Sequence, residues 1–326
     1  MNIIDSLHDW KKSVIHLECA TDRFDVFQRF NLISQFRGSS ENHNIEGERR
    51  LSDELEQLRN NIRSQGTAFY IEHNNKHYII TARHVLFDER QYLENEREHQ
   101  NSFPDSSPRE KTCVFKKIYR VPSLSELSNC NAHDRINEII HSGFLSLVSS
   151  GAYELSTYIL SQEELDIGII QLDRYYPNVI QGLKKFGFIP LPSSVISEED
   201  FGEGHDVFTV GFPGSSIVGQ LDLCNPYRQW MPSAVSEHVY TWGRVAMNHN
   251  DLPSFWCDMT IYPGNSGGPV IHDGKIIGLV SGQPTIPIEG SPELRTRIPF
   301  AHIIKGRHIM NTLRALEEKI ANNYGS

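Results

Sequence analysis

The chain has 326 residues and a formal net charge of −10, with 38% apolar and 22% charged residues. That size suits one two-lobed enzyme with insertions, or two ordinary domains, and leaves enough apolar material for a sizeable core. The acidic balance argues against a nucleic-acid partner, whose binding rests on Lys and Arg neutralising phosphates.

The N-terminus, Met1-Asn2-Ile3-Ile4-Asp5, lacks a basic start followed by an apolar run. No signal peptide is expected there. No apolar run approaches the roughly 20 residues of a membrane-spanning helix, so no membrane partner is expected. Residues 13–17 form the first strand-like run. Residues 51–62 read LSDELEQLRNNI, with Leu51, Leu55, Leu58 and Ile62 on one helical face. Residues 67–71 and 77–81 predict a hairpin turning at Asn74-Asn75. Residues 87–99 predict a polar, charged helix. Further strands are expected at 167–172, 207–211, 239–243 and 269–271. Another follows a turn at Asp273-Gly274, over residues 275–280. Residues 303–322 predict a C-terminal helix, with Leu313, Leu316 and Ile320 at helical spacing. Short strands broken by turns argue for a mainly β fold, a barrel or a sandwich.

Five cysteines, Cys19, Cys113, Cys130, Cys224 and Cys257, are widely spaced and odd in number. They read as reduced thiols rather than a disulfide framework, which suits a cytoplasmic protein. Cys130-x-x-His133 is half of a zinc pattern without a second half, and His73 and His77 flank a turn. No metal and no cofactor is expected. Trp230, Trp242 and Trp256 read as core or cleft aromatics.

The string Pro263-Gly264-Asn265-Ser266-Gly267-Gly268-Pro269 lies between two strand-like segments. A serine hydroxyl is a weak nucleophile that needs a base and backbone N–H donors for the oxyanion that forms. Glycines on both sides of Ser266 free the backbone to aim the N–H groups of Gly264 and Ser266 at one point. Gly264-x-Ser266-x-Gly268 also fits the nucleophile elbow of an α/β-hydrolase. That elbow leads into a helix and is followed by an acid and then a histidine. Here Gly267, Gly268 and Pro269 disfavour a helix, and no histidine motif follows.

Thr81-Ala82-Arg83-His84-Val85 closes the first hairpin. A histidine just past a strand end suits a general base, because its ordinary pKa lies near neutrality. Taken singly, one histidine among 15 is more often a surface or core residue. Asp166 opens the run Asp166-Ile167-Gly168-Ile169-Ile170 and could orient that base, although a strand-start Asp can equally be a solvated residue. The order His84, Asp166, Ser266 is that of chymotrypsin and differs from subtilisin.

These motifs together resemble the trypsin-like serine peptidases, most closely the bacterial Deg-type, disulfide-free branch. Gly66-Thr67-Ala68-Phe69 before Thr81-Ala82-Arg83-His84-Val85 is similar to that branch's strand and histidine motif. Asp166-Ile167-Gly168-Ile169-Ile170 is similar to its acid motif. Residues 258–269 are similar to its serine motif, and Val210-Gly211-Phe212-Pro213 and residues 278–282 match further strands. The resemblance implies two six-stranded antiparallel β-barrels with the site between them. The first barrel would span 10–175, with insertions near 22–62 and 88–155. The second would span 185–302, followed by a helix at 303–323. No PDZ domain is expected after the peptidase.

The resemblance assigns His84, Asp166 and Ser266 as the triad and Gly264 and Ser266 as the oxyanion donors. It implies that Ser281, Gly282 and Gln283 pair with an extended peptide or protein substrate, and that Thr260, Gln283 and the region of Ile298-Pro299 line the specificity pocket. Without an acid at Thr260, cleavage after Arg or Lys is not expected. Asn265 stands where trypsin has the Asp that pairs with a new N-terminus, so activation by N-terminal cleavage is not expected. The functional expectation is a cytoplasmic serine endopeptidase working through an acyl-enzyme. Its inserted segments leave room for an activating partner protein. The alternative is a non-catalytic binding module on the same frame.

Overall fold

The computed structural model of the protein describes residues 10–20, 62–102, 113–121, 144–146, 156–213 and 237–324. The expected helix at 51–62 lies outside them except for Ile62, which opens a strand. Cys130, His133, Cys224 and Trp230 also lie outside.

The first lobe is one curled sheet. Its strands are β1 (Val14–Ala20), β2 (Ile62–His73), β3 (Lys76–Ala82), β4 (Lys117–Arg120), β5 (Phe144–Ser146), β6 (Tyr158–Leu160), β7 (Ile167–Gln171) and β8 (Leu191–Pro192). The order is β5-β4-β1-β2-β3-β7-β6, with β8 running parallel beside β2. Among the described residues this sheet does not close, whereas a closed barrel was expected. Strands β4 and β5 fall inside the segment read as an insertion, yet they extend the sheet from β1. The β2–β3 hairpin turns at Asn74 (φ 49°) and Asn75 (φ 58°). Left-handed conformations at both central residues match the twist of the flanking strands, and Asn tolerates them. Strands β1 and β7 are buried along their whole length, because both faces of the sheet are covered. β7 (IGIIQ) therefore reads as an apolar run, whereas β1 also buries the polar His16 and Glu18.

The second lobe is a closed barrel of six strands in the order β10-β11-β16-β13-β12-β9. These are β9 (Asp206–Gly211), β10 (Val239–Asn248), β11 (Ser254–Met259), β12 (Pro269–His272), β13 (Lys275–Gly282) and β16 (Ala301–Lys305). Asp273 (φ 45°) and Gly274 (φ 71°) make the β12–β13 turn. A separate hairpin, β14 (Thr285–Ile288) and β15 (Ser291–Arg297), projects from this barrel. The helices are α1 (Arg83–Leu86), α2 (Glu89–Ser102), α3 (Pro177–Lys185) and α4 (Gly306–Tyr324). Residues 303–305, expected to be helical, complete β16 instead. Their side chains fill the barrel wall before the helix begins at Gly306.

Helix α4 ties the lobes together. Its Ile309, Leu313, Leu316 and Ile320 join one apolar cluster with Tyr78 and Ile80 of the first lobe and Ile276 and Leu279 of the second. Polar bonds fix its far end: the Tyr78 hydroxyl donates to Glu317 at 2.9 Å and Lys319 Nζ donates to the Tyr158 carbonyl at 2.9 Å. At its base, buried Lys305 pairs with Asp200 at 3.0 Å. Burial of the α4 stripe fixes how one lobe sits on the other, and hence the cleft between them.

Leu316 is fully buried on that stripe. Leu316→Ala is expected to cost about 2–5 kcal/mol of unfolding free energy, through lost burial and the cavity left behind. Arg314→Ala, which breaks an exposed pair with Glu198, is expected to cost no more than about 1 kcal/mol. Urea unfolding of the two variants measures the contrast; equal costs would contradict it.

Candidate active site

Asp166 sits immediately before β7, and the pairing of Ala82 with Ile167 sets it against the end of β3. Chain direction changes there: β3 ends and the single turn α1 carries Arg83 and His84. Asp166 holds that turn with main chain and side chain alike. Its carbonyl accepts Arg83 N–H at 3.0 Å and Oδ1 accepts His84 N–H at 3.0 Å. The His84 ring Nδ1 lies 2.8 Å from Oδ2 and 3.0 Å from Oδ1. A carboxylate accepts, so Nδ1 carries the proton and Nε2 is left as the acceptor. Asp166 has φ 44°, unusual for a residue with a side chain. These bonds hold it there. The carboxylate side chain is 12% exposed and the imidazole 49%, so Asp166 is shielded while the His84 ring is open to solvent.

The loop from Tyr262 to Gly268 is held by its backbone. Asn265 N–H donates to the Tyr262 carbonyl at 3.0 Å, Gly267 N–H to Val280 at 2.7 Å and Gly268 N–H to Asn265 at 2.9 Å. The Ser266 carbonyl accepts Thr67 N–H at 2.8 Å and the Gly264 carbonyl accepts Thr67 Oγ1–H at 2.7 Å. Among the described residues, no hydrogen bond uses the N–H of Gly264 or of Ser266. These are the two donors the sequence singled out. Gly267 has φ 87°, and a Cβ there would strike the Thr67 carbonyl and the Thr81 hydroxyl. No other residue fits, and this close approach brings Ser266 to the strands that lead to His84.

The half-exposed Ser266 donates its hydroxyl to the Ser281 carbonyl at 3.2 Å. Among the described residues it makes no hydrogen bond to His84. Ser281 bridges the remaining gap, because its own hydroxyl donates to Asp166 Oδ2 at 2.6 Å. Ser266, Ser281, Asp166 and His84 thus form one chain of contacts across the cleft. Sequence reasoning assigned Ser281 to substrate pairing and missed its bond to Asp166. A lone serine at a strand end gives no signal of a partner 115 residues away.

Past Val280, β13 is bound to β16 on one side, with Gly282 opposite His302. The other edge of Ser281, Gly282 and Gln283 is partly exposed. The same ribbon continues outward: Ile298 N–H donates to the Pro284 carbonyl at 3.0 Å, and Thr285 pairs with Arg297. Hairpin β14–β15 therefore extends the β13–β16 pair beyond the barrel. It exposes Ile286, Ile288 and Leu294. Sequence reasoning did not find it, because Pro287 weakens the strand pattern. Thr260 is exposed at the end of β11, and Ile298 and Pro299 lie at least partly in solvent. Near them, the Trp256 and Phe300 rings lie 5.8 Å apart. His302 is half-buried and bonds to Ser254 at 2.8 Å. Burial pushes its pKa down, and the Asp166 charge pulls against that shift.

Among the described residues, no group of three or more His, Cys, Asp or Glu side chains could hold a metal ion, and no helix is long and apolar enough to cross a membrane. The profile of the trypsin-like peptidase domain matches residues 66–279, well over half of the chain. No curated protein matches the chain. Among solved structures, a thermostable serine protease, AL20, from an extremophilic microorganism is 11% identical, with a TM-score of 0.46. The match covers 94% of this chain and 97% of that one. A Glu endopeptidase is 11% identical over 78% of this chain and 86% of its own, with a TM-score of 0.42. Tobacco etch virus protease complexed with product is 9% identical over 96% and 84%, with a TM-score of 0.41. With the profile spanning both lobes of the cleft, the chain belongs to the trypsin-like peptidases and is a serine protease.

Proposed function

We propose that the chain is an endopeptidase in which Ser266 is the nucleophile, His84 the general base and then acid, and Asp166 the group that orients the imidazole. The observation that carries this reading is the His84–Asp166 pair at 2.8 Å, joined through Ser281 to the Ser266 hydroxyl. Ser266 Oγ attacks the scissile carbonyl carbon and its proton passes to His84 Nε2. Asp166 stabilises the imidazolium by accepting from Nδ1–H. The oxyanion is received by the unspent N–H groups of Gly264 and Ser266. Collapse expels the amine, which takes the proton from Nε2. Water, deprotonated by the same imidazole, then releases the acyl group from Ser266.

The Ser266–Ser281 bond gives substrate a part in this sequence. A peptide adding as a strand along Ser281, Gly282 and Gln283 would offer an N–H to the Ser281 carbonyl. That contact would release the Ser266 hydroxyl to turn toward His84. If substrate makes this exchange, no other trigger is needed; if it does not, an activating partner protein must. The cytosol is the proposed compartment. Its support is that Cys19 and Cys257 are free and buried, with burial pushing the Cys257 thiol up to about 12. Neither Thr260 nor Gln283 supplies a carboxylate for a basic side chain, which supports cleavage after residues other than Arg and Lys.

A fluorophosphonate probe is expected to label wild-type protein at Ser266, as read by mass spectrometry, and to leave Ser266→Ala unlabelled. Equal labelling of both would reject the nucleophile assignment. Cleavage of unfolded casein by the isolated chain would show that substrate suffices, whereas labelling without cleavage would favour partner control.

Peptide length supplies a second test. A substrate strand that follows β13 outward meets β14 after a few residues. Extending a peptide by about four residues on its amino-terminal side is expected to raise kcat/KM about tenfold, the effect of roughly 1.4 kcal/mol of added contact. Replacing Ile286 with Asp should remove that gain and leave short peptides unaffected. A gain that survives this change would contradict the path.

A further inference from the structure

We propose that Thr67, a residue of the first lobe, is the positioning residue that sets the oxyanion loop of the second lobe through its hydroxyl. This rests on the reading that the N–H groups of Gly264 and Ser266 receive the oxyanion.

Thr67 lies in β2 and is fully buried. Each of its polar groups is engaged. Its N–H donates to the Ser266 carbonyl at 2.8 Å, and its own carbonyl accepts the Thr81 hydroxyl at 2.7 Å. Its Oγ1 accepts Phe212 N–H at 3.1 Å and donates to the Gly264 carbonyl at 2.7 Å. A hydroxyl has one proton to give. Phe212 N–H must be a donor, so the Thr67 proton is committed to Gly264. One residue therefore holds the carbonyls of both residues whose N–H groups remain unspent.

Peptide planarity turns that grip into an orientation. The Gly264–Asn265 plane is pinned at its carbonyl by Thr67 and at its N–H by Tyr262. The N–H of Gly264 lies on one side of this plane along the chain and that of Ser266 on the other. Fixing this plane sets the frame from which both point, and Gly268 N–H on the Asn265 carbonyl holds the next plane, which carries the Ser266 N–H. Gly264, at φ 101°, sits where the backbone would otherwise turn most freely. Without the Thr67 proton its buried carbonyl would lack a donor, and the plane would rotate toward a new one. Among the described residues the Asn265 side chain makes no hydrogen bond to the loop. Asn265 carries no charge, and its buried Oδ1 has no hydrogen-bond partner among the described residues. The loop is thus held by a neutral hydroxyl from the other lobe rather than by an ion pair at Asn265. Seating one lobe on the other and shaping the oxyanion site become a single event.

Thr67→Val keeps the shape of the side chain and removes the hydroxyl, both the proton given to Gly264 and the oxygen that accepts Phe212 N–H; Thr67→Ser keeps both. Kinetics use a peptide that the wild type cleaves, together with its peptidyl aldehyde and the matching peptide acid. The aldehyde forms a tetrahedral adduct that needs the oxyanion donors, and the acid does not. Thr67→Val is expected to lower kcat about 100-fold, the scale of losing one oxyanion donor, with KM within about threefold. Its affinity for the aldehyde should fall in step with kcat while affinity for the acid holds. Thr67→Ser should stay within about threefold of wild type in all of these. If Thr67→Val does not fold, Thr67→Ala takes its place. The proposal is overturned if the Val variant keeps its kcat or if Ser is as impaired as Val. Loss of aldehyde and acid affinity together, or failure of both Val and Ala variants to fold, would make Thr67 a structural residue and overturn it equally. Absence of wild-type labelling at Ser266 by a fluorophosphonate would instead reject the nucleophile assignment beneath it.

Discussion

A single shielded carboxylate, that of Asp166, holds the cleft together. It takes the backbone N–H and the ring Nδ1–H of His84 from its own lobe and the hydroxyl of Ser281 from the other. Shielded from water, such a group demands donors, and leaving one unsatisfied is costly. The arrangement therefore has little freedom. His84 cannot turn away without exposing Asp166 to an unmet bond, and the lobes cannot shift without drawing Ser281 off Oδ2. The left-handed backbone at Asp166 is held by the same bonds.

The two lobes contribute unlike parts. On the proposed reading the first gives the base and the acid, His84 and Asp166, placed by the pairing of β3 with β7. The second gives the Ser266 loop, the nucleophile of that reading, and the strand edge beside it. Neither part is complete alone, because Thr67 reaches across to the loop and Ser281 reaches back to the acid. The continuous apolar cluster under α4 keeps the lobes in the register that both contacts need. On this account, changes far from the cleft that loosen α4 act on the site through lobe docking rather than through any one side chain.

Local chemistry was legible in the sequence and cross-lobe chemistry was not. The turns at Asn74-Asn75 and Asp273-Gly274 follow from residues that accept left-handed backbone, and the structure has both. His84 and Ser266 stood out because glycines, strand ends and small neighbours lie beside them in the chain. Asp166 was weaker, since a strand-start acid looks alike whether solvated or buried. Strand β11 was missed although its core residues Phe255, Cys257 and Met259 alternate as a strand's should, because the run is short and Pro253 obscures its start. The hairpin β14–β15 was hidden by Pro287. The Ser281 hydroxyl and the Thr67 clamp join residues far apart in the chain, which local patterns do not encode. The start of α4 was misplaced because Ile303 and Ile304 fit a helical stripe as well as a barrel wall.

The central claim is that His84 and Ser266 act as one chemical unit. Residues that act as a unit are non-additive, because removing either stops the same step. The most direct measurement is the rate of peptide cleavage by His84→Ala, Ser266→Ala and the double variant, with folding checked by thermal melting. The account predicts that each single variant loses about as much activity as the double. Losses that multiply in the double variant would show that the two side chains act independently, and would contradict it.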